Sequence, residues 1–374
     1  MEYRQYGRTG LKLSALGFGC MRFPMTDEKH ILEDEAIEML RYGIDNGINY
    51  IDTAWFYCGG ESEIVVGKAL KDGYREKVVL STKNPIHEPD GEKWRRRLEE
   101  QLKKLDTDVI DVYHFHGINW KDWNENLTHG PSKEMRRAQE EGLIRHRAFS
   151  FHDTPENLIK LIDTDEFEGV LLQYNLLDRA NEDGIDYAAE KGLGVVVMGP
   201  VAGGRLAAPS DEIGKFMPMN VQSTPDAALR FVIGNPNVTV ALSGMSNLRE
   251  VRENIATANS AGTLTGEQKE QIEQNLSEVK ALADLYCTGC KYCMPCPNDV
   301  DIARNFELMN YYRVWGLEEY AKMQYAKLRE KKVDGKVIEA WAEACLGCGE
   351  CEPKCPQNIP IVDRLAEVAE TFGE

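Results

Sequence analysis

The sequence lacks long apolar runs and an excess of positive charge. Its apolar stretches are all shorter than the roughly 20 residues that a membrane-spanning helix needs. Lys and Arg number 44 against 62 Asp and Glu, which gives a formal net charge of −18. Binding to nucleic acid phosphates depends on basic patches, so this balance argues against that class of function. Residues 1–6 also lack the apolar segment of a secretion signal, and we expect a reducing cytoplasm.

Cysteine is scarce in most of the chain and concentrated near its C-terminus. Only Cys20 and Cys58 precede residue 287, and each is expected to be a small, partly buried side chain. The other eight form two short runs, namely Cys287, Cys290, Cys293 and Cys296, then Cys345, Cys348, Cys351 and Cys355. The second run has the C-x₂-C-x₂-C-x₃-C-P spacing that binds cubane iron–sulfur clusters in bacterial ferredoxins. The first run differs by one residue before its last cysteine.

The two runs predict two 4Fe–4S clusters with exchanged fourth ligands. In such motifs three thiolates bind one cluster, and the fourth, which precedes a proline, binds the other. One cluster would be bound by Cys287, Cys290, Cys293 and Cys355, and the other by Cys345, Cys348, Cys351 and Cys296. Structural zinc is an alternative, but C-x₂-C pairs alone would supply its four ligands without a third cysteine in each run. Disulfides are a second alternative, and they need an oxidising compartment.

Short β-rich runs alternate with amphipathic helical stretches between residues 11 and 259. Strands are predicted at 13–19, 50–53, 77–83, 109–113, 143–149, 169–174, 195–198 and 238–243. Eight βα units of this length predict an α/β fold that closes into a (β/α)8 TIM barrel. An open doubly wound sheet is the rival, but the chain has no G-x-G-x-x-G after a strand. We assign the barrel to residues 1–262 and a small, mostly helical domain with the two clusters to residues 263–374.

Polar side chains follow three consecutive predicted strands. Asp52 and Tyr57 follow the second strand, Lys83 ends the third and His116 follows the fourth. Functional residues of a TIM barrel lie at these carboxyl ends. A phenol can protonate a carbonyl oxygen when a nearby ammonium lowers its pKa from about 10. Lys83 would provide that ammonium, Asp52 would keep it charged, and His116 would orient the substrate oxygen.

Each of these four residues alone has a simpler interpretation. An aspartate at a strand end is often a cap, a lysine is often a solvated charge, and a histidine in a strand is often a core group. All four at the ends of successive strands are much harder to explain in that way. The set therefore predicts an active site for carbonyl reduction.

Six motifs extend this pattern along residues 3–260. They are Gly7-Arg8-Thr9-Gly10-Leu11, Gly17-Phe18-Gly19, Asp52-Thr53-Ala54-x₂-Tyr57, Ser62-Glu63-x₃-Gly67-Lys68-Ala69-Leu70, Ser81-Thr82-Lys83 and Asp111-x₄-His116. Together they resemble the aldo-keto reductases. The resemblance implies a tetrad of Asp52, Tyr57, Lys83 and His116, with Tyr57 as acid and base. It also implies a nicotinamide dinucleotide across the barrel mouth, bound by Met21, Ser150, Gln173, Met198, Ser243, Gly244, Ser246, Glu250 and Asn254.

The expected cofactor residues have specific tasks, and three positions depart from the family pattern. Ser150 and Gln173 would hold the carboxamide, and the loop 243–246 would cradle phosphate with backbone N–H groups at a helix start. Met198 stands where the family usually has an aromatic ring under the nicotinamide, and Phe151 stands where it often has asparagine. Glu250 aligns with the arginine that binds a 2′-phosphate, so the carboxylate should repel NADP, and NADH is favoured.

The whole chain is similar to the subfamily of aldo-keto reductases with a C-terminal 4Fe–4S ferredoxin-type domain. The long spacing between the cysteine runs resembles the α-helical ferredoxin modules of the succinate dehydrogenase type. Hydride carries two electrons whereas clusters pass one, and a flavin such as FMN is the usual converter. We therefore expect a cytosolic oxidoreductase that reduces an aldehyde, ketone or unsaturated carbonyl and exchanges electrons with a ferredoxin-like partner. The alternatives are an NAD(P)H-dependent reductase with structural clusters and a non-enzymatic electron carrier or redox sensor.

Overall fold

The computed structural model describes residues 1–283, 293–333, 336–355 and 358–373. These residues form two compact units. One combines Met1–Gly203 with Ala228–Leu264, and the other combines Gly204–Ala227 with the described residues from Thr265 onward. No helix within these ranges is both long and apolar enough to cross a membrane.

The first unit contains a hairpin followed by a closed barrel. The antiparallel hairpin is formed by β1 (Tyr3–Gln5) and β2 (Lys12–Ser14). The parallel barrel strands are β3 (Leu16–Gly19), β4 (Tyr50–Asp52), β5 (Val79–Asn84), β6 (Ile110–Ile118), β7 (Ile144–Phe151), β8 (Gly169–Gln173), β9 (Gly194–Met198) and β10 (Val240–Gly244). Each pairs with the next along the chain, and β10 pairs with β3. This closure confirms the predicted (β/α)8 barrel and excludes an open doubly wound sheet.

Helices follow the barrel strands, and all of them up to residue 260 except Asp211–Lys215 lie wholly or largely in the first unit. Up to residue 260 they are α1 (Glu33–Asp45), α2 (Ser62–Ala69), α3 (Gly91–Leu105), α4 (Trp120–Glu125), α5 (Pro131–Glu140), α6 (Pro155–Ile162), α7 (Glu182–Glu190), α8 (Asp211–Lys215), α9 (Thr224–Gly234) and α10 (Leu248–Ser260). The helix α3 shows how the sequence sets them. The Asp90 carboxylate caps it by accepting from the Lys93 N–H at 2.8 Å. Trp94, Leu98 and Leu105 lie on its buried face.

Alternate residues of the barrel strands point inward and form the barrel core. The inward set includes Tyr50, Val112, Ala148, Leu171, Val196, Val240 and Leu242. The hairpin adds Tyr6, which is fully buried. Gly169 and Gly194 are paired on β8 and β9, and together they leave the space that the Tyr6 ring fills. The hairpin residue thus fills one part of the barrel interior that the strands leave open.

We expect Gly169→Ala to destabilise the barrel. The added Cβ would lie 1.7 Å from the Tyr6 hydroxyl oxygen, and the well-packed interior offers no room for the ring to move. Overpacking of this kind typically costs about 1–3 kcal/mol of unfolding free energy. Gly262→Ala is the matched control, because its Cβ would meet nothing within 4 Å. Denaturant unfolding of both variants measures the difference, and equal midpoints would contradict this packing of Tyr6.

The second unit is mostly helical in the part that the structure describes. Its helices after the barrel are α11 (Gly266–Ala283), α12 (Ile302–Arg313), α13 (Glu318–Leu328) and α14 (Ile361–Phe372), with a small pair of strands, β11 (Lys332–Val333) and β12 (Lys336–Val337). The segment Gly204–Ala227, which contains α8, packs with these helices. The Ser210 hydroxyl donates to the Trp315 carbonyl at 2.7 Å, and the Phe216 and Trp315 rings are 5.7 Å apart. The single domain boundary expected at residue 262 would assign this segment to the barrel domain, whereas the structure groups it with the second unit.

Candidate active site

The four side chains of the predicted tetrad lie together at the carboxyl ends of neighbouring strands. Asp52 ends β4, Lys83 is the penultimate residue of β5, and His116 lies near the end of β6. Tyr57 begins a short 3-10 turn after β4. The carboxyl ends of parallel barrel strands share one face of the barrel, which is why residues distant in sequence meet there.

Lys83 and Asp52 form a fully buried ion pair. The Lys83 ammonium donates to Asp52 Oδ1 and to the Thr53 carbonyl at 2.7 Å, and the Ser81 hydroxyl donates to Asp52 Oδ2 at 2.8 Å. Burial alone would lower the pKa of Lys83, but Asp52 and Tyr57 outweigh it and raise that pKa. Burial also raises the pKa of Asp52, against the opposing effects of Lys83 and Ser81. We regard the pair as charged, because each partner compensates the other's desolvation at direct contact.

Tyr57 lies against this ion pair. The Lys83 ammonium is 4.8 Å from the centre of the Tyr57 ring, and the His116 ring meets it edge-on with centroids 6.0 Å apart. The sequence predicts that Lys83 lowers the pKa of this phenol. Lys83 does act in that direction, but burial has the larger effect, and the net pKa of Tyr57 is raised. The predicted effect of Lys83 is therefore present but smaller than that of burial, and the phenol stays protonated at neutral pH.

His116 is a neutral imidazole in this environment. Its pKa is lowered to about 3, chiefly because burial disfavours the charged form, with further repulsion from Lys83, His152 and His87. A neutral imidazole keeps one N–H that can donate to a substrate oxygen. The site therefore combines a protonated phenol, a buried ammonium and a neutral hydrogen-bond donor.

The predicted carboxamide residues occupy the next strand ends. Ser150 is buried on β7, and Gln173 and Met198 are half-buried at the ends of β8 and β9. Gln173 packs on Gly199, where a Cβ would lie only 2.6 Å from its Oε1 atom. Met21, which follows β3, is 54% exposed. These residues lie at the same face of the barrel as the tetrad.

The loop after β10 holds the remaining predicted cofactor residues, and its anion-binding groups are already engaged. The Ser246 N–H donates to Glu250 Oε2 at 2.7 Å, and the Asn247 side-chain amide donates to Oε1 at 2.8 Å. Asn247 in turn caps α10 by accepting from the Glu250 N–H. The Asn254 amide donates to the buried Ser243 hydroxyl at 3.1 Å. Gly244 lies beneath Arg22, whose Cγ would be 2.8 Å from a Cβ there.

The contact of Glu250 with the Ser246 N–H could have been predicted from the sequence, because Asn247 is followed by Glu250 three positions later. An N-cap residue followed by glutamate three positions later is a capping box, in which the glutamate folds back on the helix start. Two other contacts carry no such signal. Ser81 orients Asp52, and the His87 ring contacts the His116 carbonyl oxygen.

Part of the predicted cluster ligand set lines one cavity in the second unit. Cys345, Cys348 and Cys351 border it together with Cys296, their predicted fourth ligand, and with Cys293. Pro295 has a cis bond to Met294 beside them. Cys287 and Cys290 lie outside the described residues, and Cys355 is not part of this lining. Among the described residues no three metal-ligating side chains converge tightly enough to hold a single ion. Of the five thiols around this cavity, the four of Cys296, Cys345, Cys348 and Cys351 match the donor set of one iron–sulfur cluster.

Residues 15–276 match the model of the aldo/keto reductase family, and residues 286–359 match that of the 4Fe-4S dicluster domain. The chain belongs to the aldo/keto reductase family. It is thus an oxidoreductase of that type with a C-terminal 4Fe–4S dicluster domain, as the sequence predicts.

The alignments of this chain with its relatives cover most of each relative's length. The oxidoreductase YqkF of Bacillus subtilis is 29% identical over 313 residues, which span 74% of this chain and 97% of the relative. The oxidoreductase YrpG of the same organism is 31% identical over 305 residues, 68% of this chain and 90% of the relative. The holo form of an aldo-keto reductase from Bacillus halodurans matches with a TM-score of 0.64 at 28% identity, covering 74% and 96% of the two chains.

One solved aldo/keto reductase carries a dinucleotide. The Klebsiella pneumoniae enzyme in complex with NADP and acetate matches with a TM-score of 0.61 at 25% identity and covers 73% of this chain and 95% of its own. These matches span about three quarters of the chain at most.

Proposed function

We propose that the barrel reduces the carbonyl group of a small molecule, an aldehyde, a ketone or an unsaturated carbonyl compound. The observation that carries this proposal is the position of Tyr57 against the buried Lys83–Asp52 pair. A binding protein does not need a phenol next to a buried ammonium. A reductase needs a proton donor that can carry a negative charge briefly, and a nearby ammonium stabilises that charge. His116 completes the site as a neutral donor.

The proposed proton transfer uses only residues of this site. Tyr57 gives its hydroxyl proton to the carbonyl oxygen as hydride arrives at the carbonyl carbon. Lys83 stabilises the phenolate that forms, and Asp52 keeps Lys83 charged during this step. His116 donates to the substrate oxygen and fixes its distance from Tyr57. A bound nicotinamide, or FMN in its place, would supply the hydride.

The residues at the mouth suit a nicotinamide dinucleotide without a 2′-phosphate. Ser150 and Gln173 would hold the carboxamide, Met198 would lie under the ring, and Asn254 would face the adenosine end. Glu250 already provides an anion at the start of α10, where a second anion would meet like charge. NADH is therefore the proposed dinucleotide.

We expect Glu250→Arg to move the preference from NADH toward NADPH. The substitution replaces a like charge with an opposite one, and hydrogen bonds to charged groups contribute about 1.5–3 kcal/mol, or roughly tenfold to a hundredfold in affinity. Glu250→Gln is the matched control, because it keeps the size and part of the hydrogen bonding but removes the charge. Titration of both reduced dinucleotides at low salt measures the change. Unchanged affinities in both variants would show that Glu250 does not face the ribose.

The dicluster domain is proposed to exchange electrons between the barrel and a ferredoxin-like partner in the cytoplasm. Clusters pass single electrons whereas carbonyl reduction takes two, so a flavin at the barrel mouth is the proposed converter when the clusters are the source. Anaerobic incubation with a panel of aldehydes and ketones tests the function itself. We expect an alcohol product with NADH or reduced ferredoxin as donor, and failure of every carbonyl with both donors would contradict the proposal.

A further inference from the structure

The strand that carries His116 is irregular at that residue. Its pairing with β5 ends where Asn84 meets Phe115, and its pairing with β7 shifts register between Phe115 and Ile118. Gly117 has a φ of +66°, in the left-handed region. Such bulges next to active sites change the direction of a side chain and leave backbone groups unpaired by the ladder. The direction of the His116 imidazole therefore depends on what holds its main chain.

His87 supplies a partner for that main chain. It lies in the loop between β5 and α3, and its Nε2 atom is 2.6 Å from the carbonyl oxygen of His116. Its Nδ1 atom is 3.2 Å from Asp122 Oδ2 in the first turn of α4. The same carboxylate accepts from the Asn119 side-chain amide at 2.8 Å. The His87 ring thus connects its own loop with β6 and with the start of α4. This connection lies where the regular pairing of β6 with its neighbouring strands ends.

Both partners of the His87 ring are acceptors. A main-chain carbonyl has no proton to give, and neither has an ionised carboxylate. The tautomer that carries its proton on Nε2 therefore donates to the His116 carbonyl. Asp122 lies beside the other ring nitrogen.

We propose that His87 is a positioning residue for His116, and that its ring holds the His116 main chain through the hydrogen bond to its carbonyl oxygen. The inference rests on the proposed function, since it assigns His116 the task of orienting the substrate oxygen.

Two carboxylates lie near His87. Asp122 faces the ring from α4 at 3.2 Å, and Glu88, in the same loop, is exposed and paired with Lys93 of α3 at 2.7 Å. Glu88 is thus engaged elsewhere, and the Nε2 atom of His87 meets the His116 carbonyl at 2.6 Å.

The test uses three substitutions of His87 in the full-length protein, with 4-nitrobenzaldehyde as the probe carbonyl. Glutamine places its amide nitrogen near the position of Nε2 and can still donate to the His116 carbonyl. Asparagine places its nitrogen near Nδ1 and cannot, and leucine offers no donor. We expect kcat to fall about tenfold in His87→Leu and His87→Asn with a smaller change in KM, because the misplaced donor acts on the reacting oxygen. His87→Gln should recover most of the loss.

The split between kcat and KM separates positioning from a merely structural role. Glu88→Gln is the control, because Glu88 lies in the same loop but pairs with Lys93, and it should keep the wild-type kcat and KM. A wild-type kcat in His87→Leu would overturn the inference.

Failure of this inference and failure of the proposed function give different results. If Tyr57→Phe is as active as the wild type, the tetrad assignment fails whatever His87 does. If Tyr57→Phe is inactive while all three His87 variants behave as the wild type, only the role of His87 fails. Thermal unfolding of each variant accompanies the kinetics, and His87→Gln decides the matter should His87→Leu not fold.

Discussion

Tyr57→Phe is expected to lower carbonyl reduction by at least about a hundredfold, the usual scale for losing a general acid. The substitution removes the hydroxyl and keeps the ring, which packs edge-on against His116. Since the phenol is the proposed proton donor, the loss should appear mainly in kcat. Binding of the dinucleotide should change little, because Tyr57 is not among the residues proposed to hold it.

Tyr187→Phe is the matched control for that loss. It removes an exposed hydroxyl in α7 that donates to Asp163, and Tyr187 lies in this helix and not at a strand end. Its kcat should stay within about twofold of the wild type, as for most surface substitutions. Near-full activity of Tyr57→Phe with a good substrate would show that the tetrad assignment is incorrect.

The pH dependence of reduction follows from the same residues. Reduction needs the protonated phenol, and burial raises the pKa of Tyr57 above its ordinary value of 10. Activity should therefore fall only in strongly alkaline solution. His116 has a pKa of about 3 and should not become charged until the solution is strongly acidic.

The second large effect concerns iron. Anaerobically purified protein should contain about eight irons per chain, four for each cubane cluster. Cys348→Ala should reduce this to about four, since Cys348 borders the cavity with three other predicted ligands of the same cluster. Cys20→Ala and Cys58→Ala should leave the iron content unchanged. Stoichiometric zinc in colourless protein would contradict the cluster assignment.

Double substitutions test the exchange of the fourth ligands. Cys296 lies with Cys345, Cys348 and Cys351 around one cavity, although it belongs to the first run in the sequence. The double variant Cys296→Ala/Cys348→Ala should thus retain about four irons, while Cys355→Ala/Cys348→Ala should lose nearly all eight. The reverse pattern would show that each run binds its own cluster.

The meeting of the tetrad side chains was predictable from the sequence because the carboxyl ends of parallel barrel strands lie at one face. The positions of Asp52, Lys83 and His116 at successive strand ends are therefore enough to place these side chains together. The net pKa of Tyr57 could not be predicted, because it depends on burial as well as on Lys83. Which thiols meet in space is likewise not determined by the spacing of the two cysteine runs alone.

Other features depend on irregular backbone that the sequence pattern does not specify. The bulge at Gly117 and the contact of His87 with the His116 carbonyl arise where strand pairing ends. The packing of Gly204–Ala227 with the second unit also has no periodic signal, since these residues read as an ordinary loop after β9. The contact of Glu250 with Ser246 is the exception, because the capping pattern is visible in the sequence.

The most direct test of the account is anaerobic turnover of the probe aldehyde with two electron donors, reduced ferredoxin and NADH, in the wild type, Tyr57→Phe and Cys348→Ala. The account predicts that reduced ferredoxin supports alcohol formation, and that both substitutions abolish it, because electrons pass through the clusters and the proton comes from Tyr57. Failure of reduced ferredoxin to support turnover, while NADH supports turnover that Cys348→Ala leaves unchanged, would contradict it and assign the clusters a structural role.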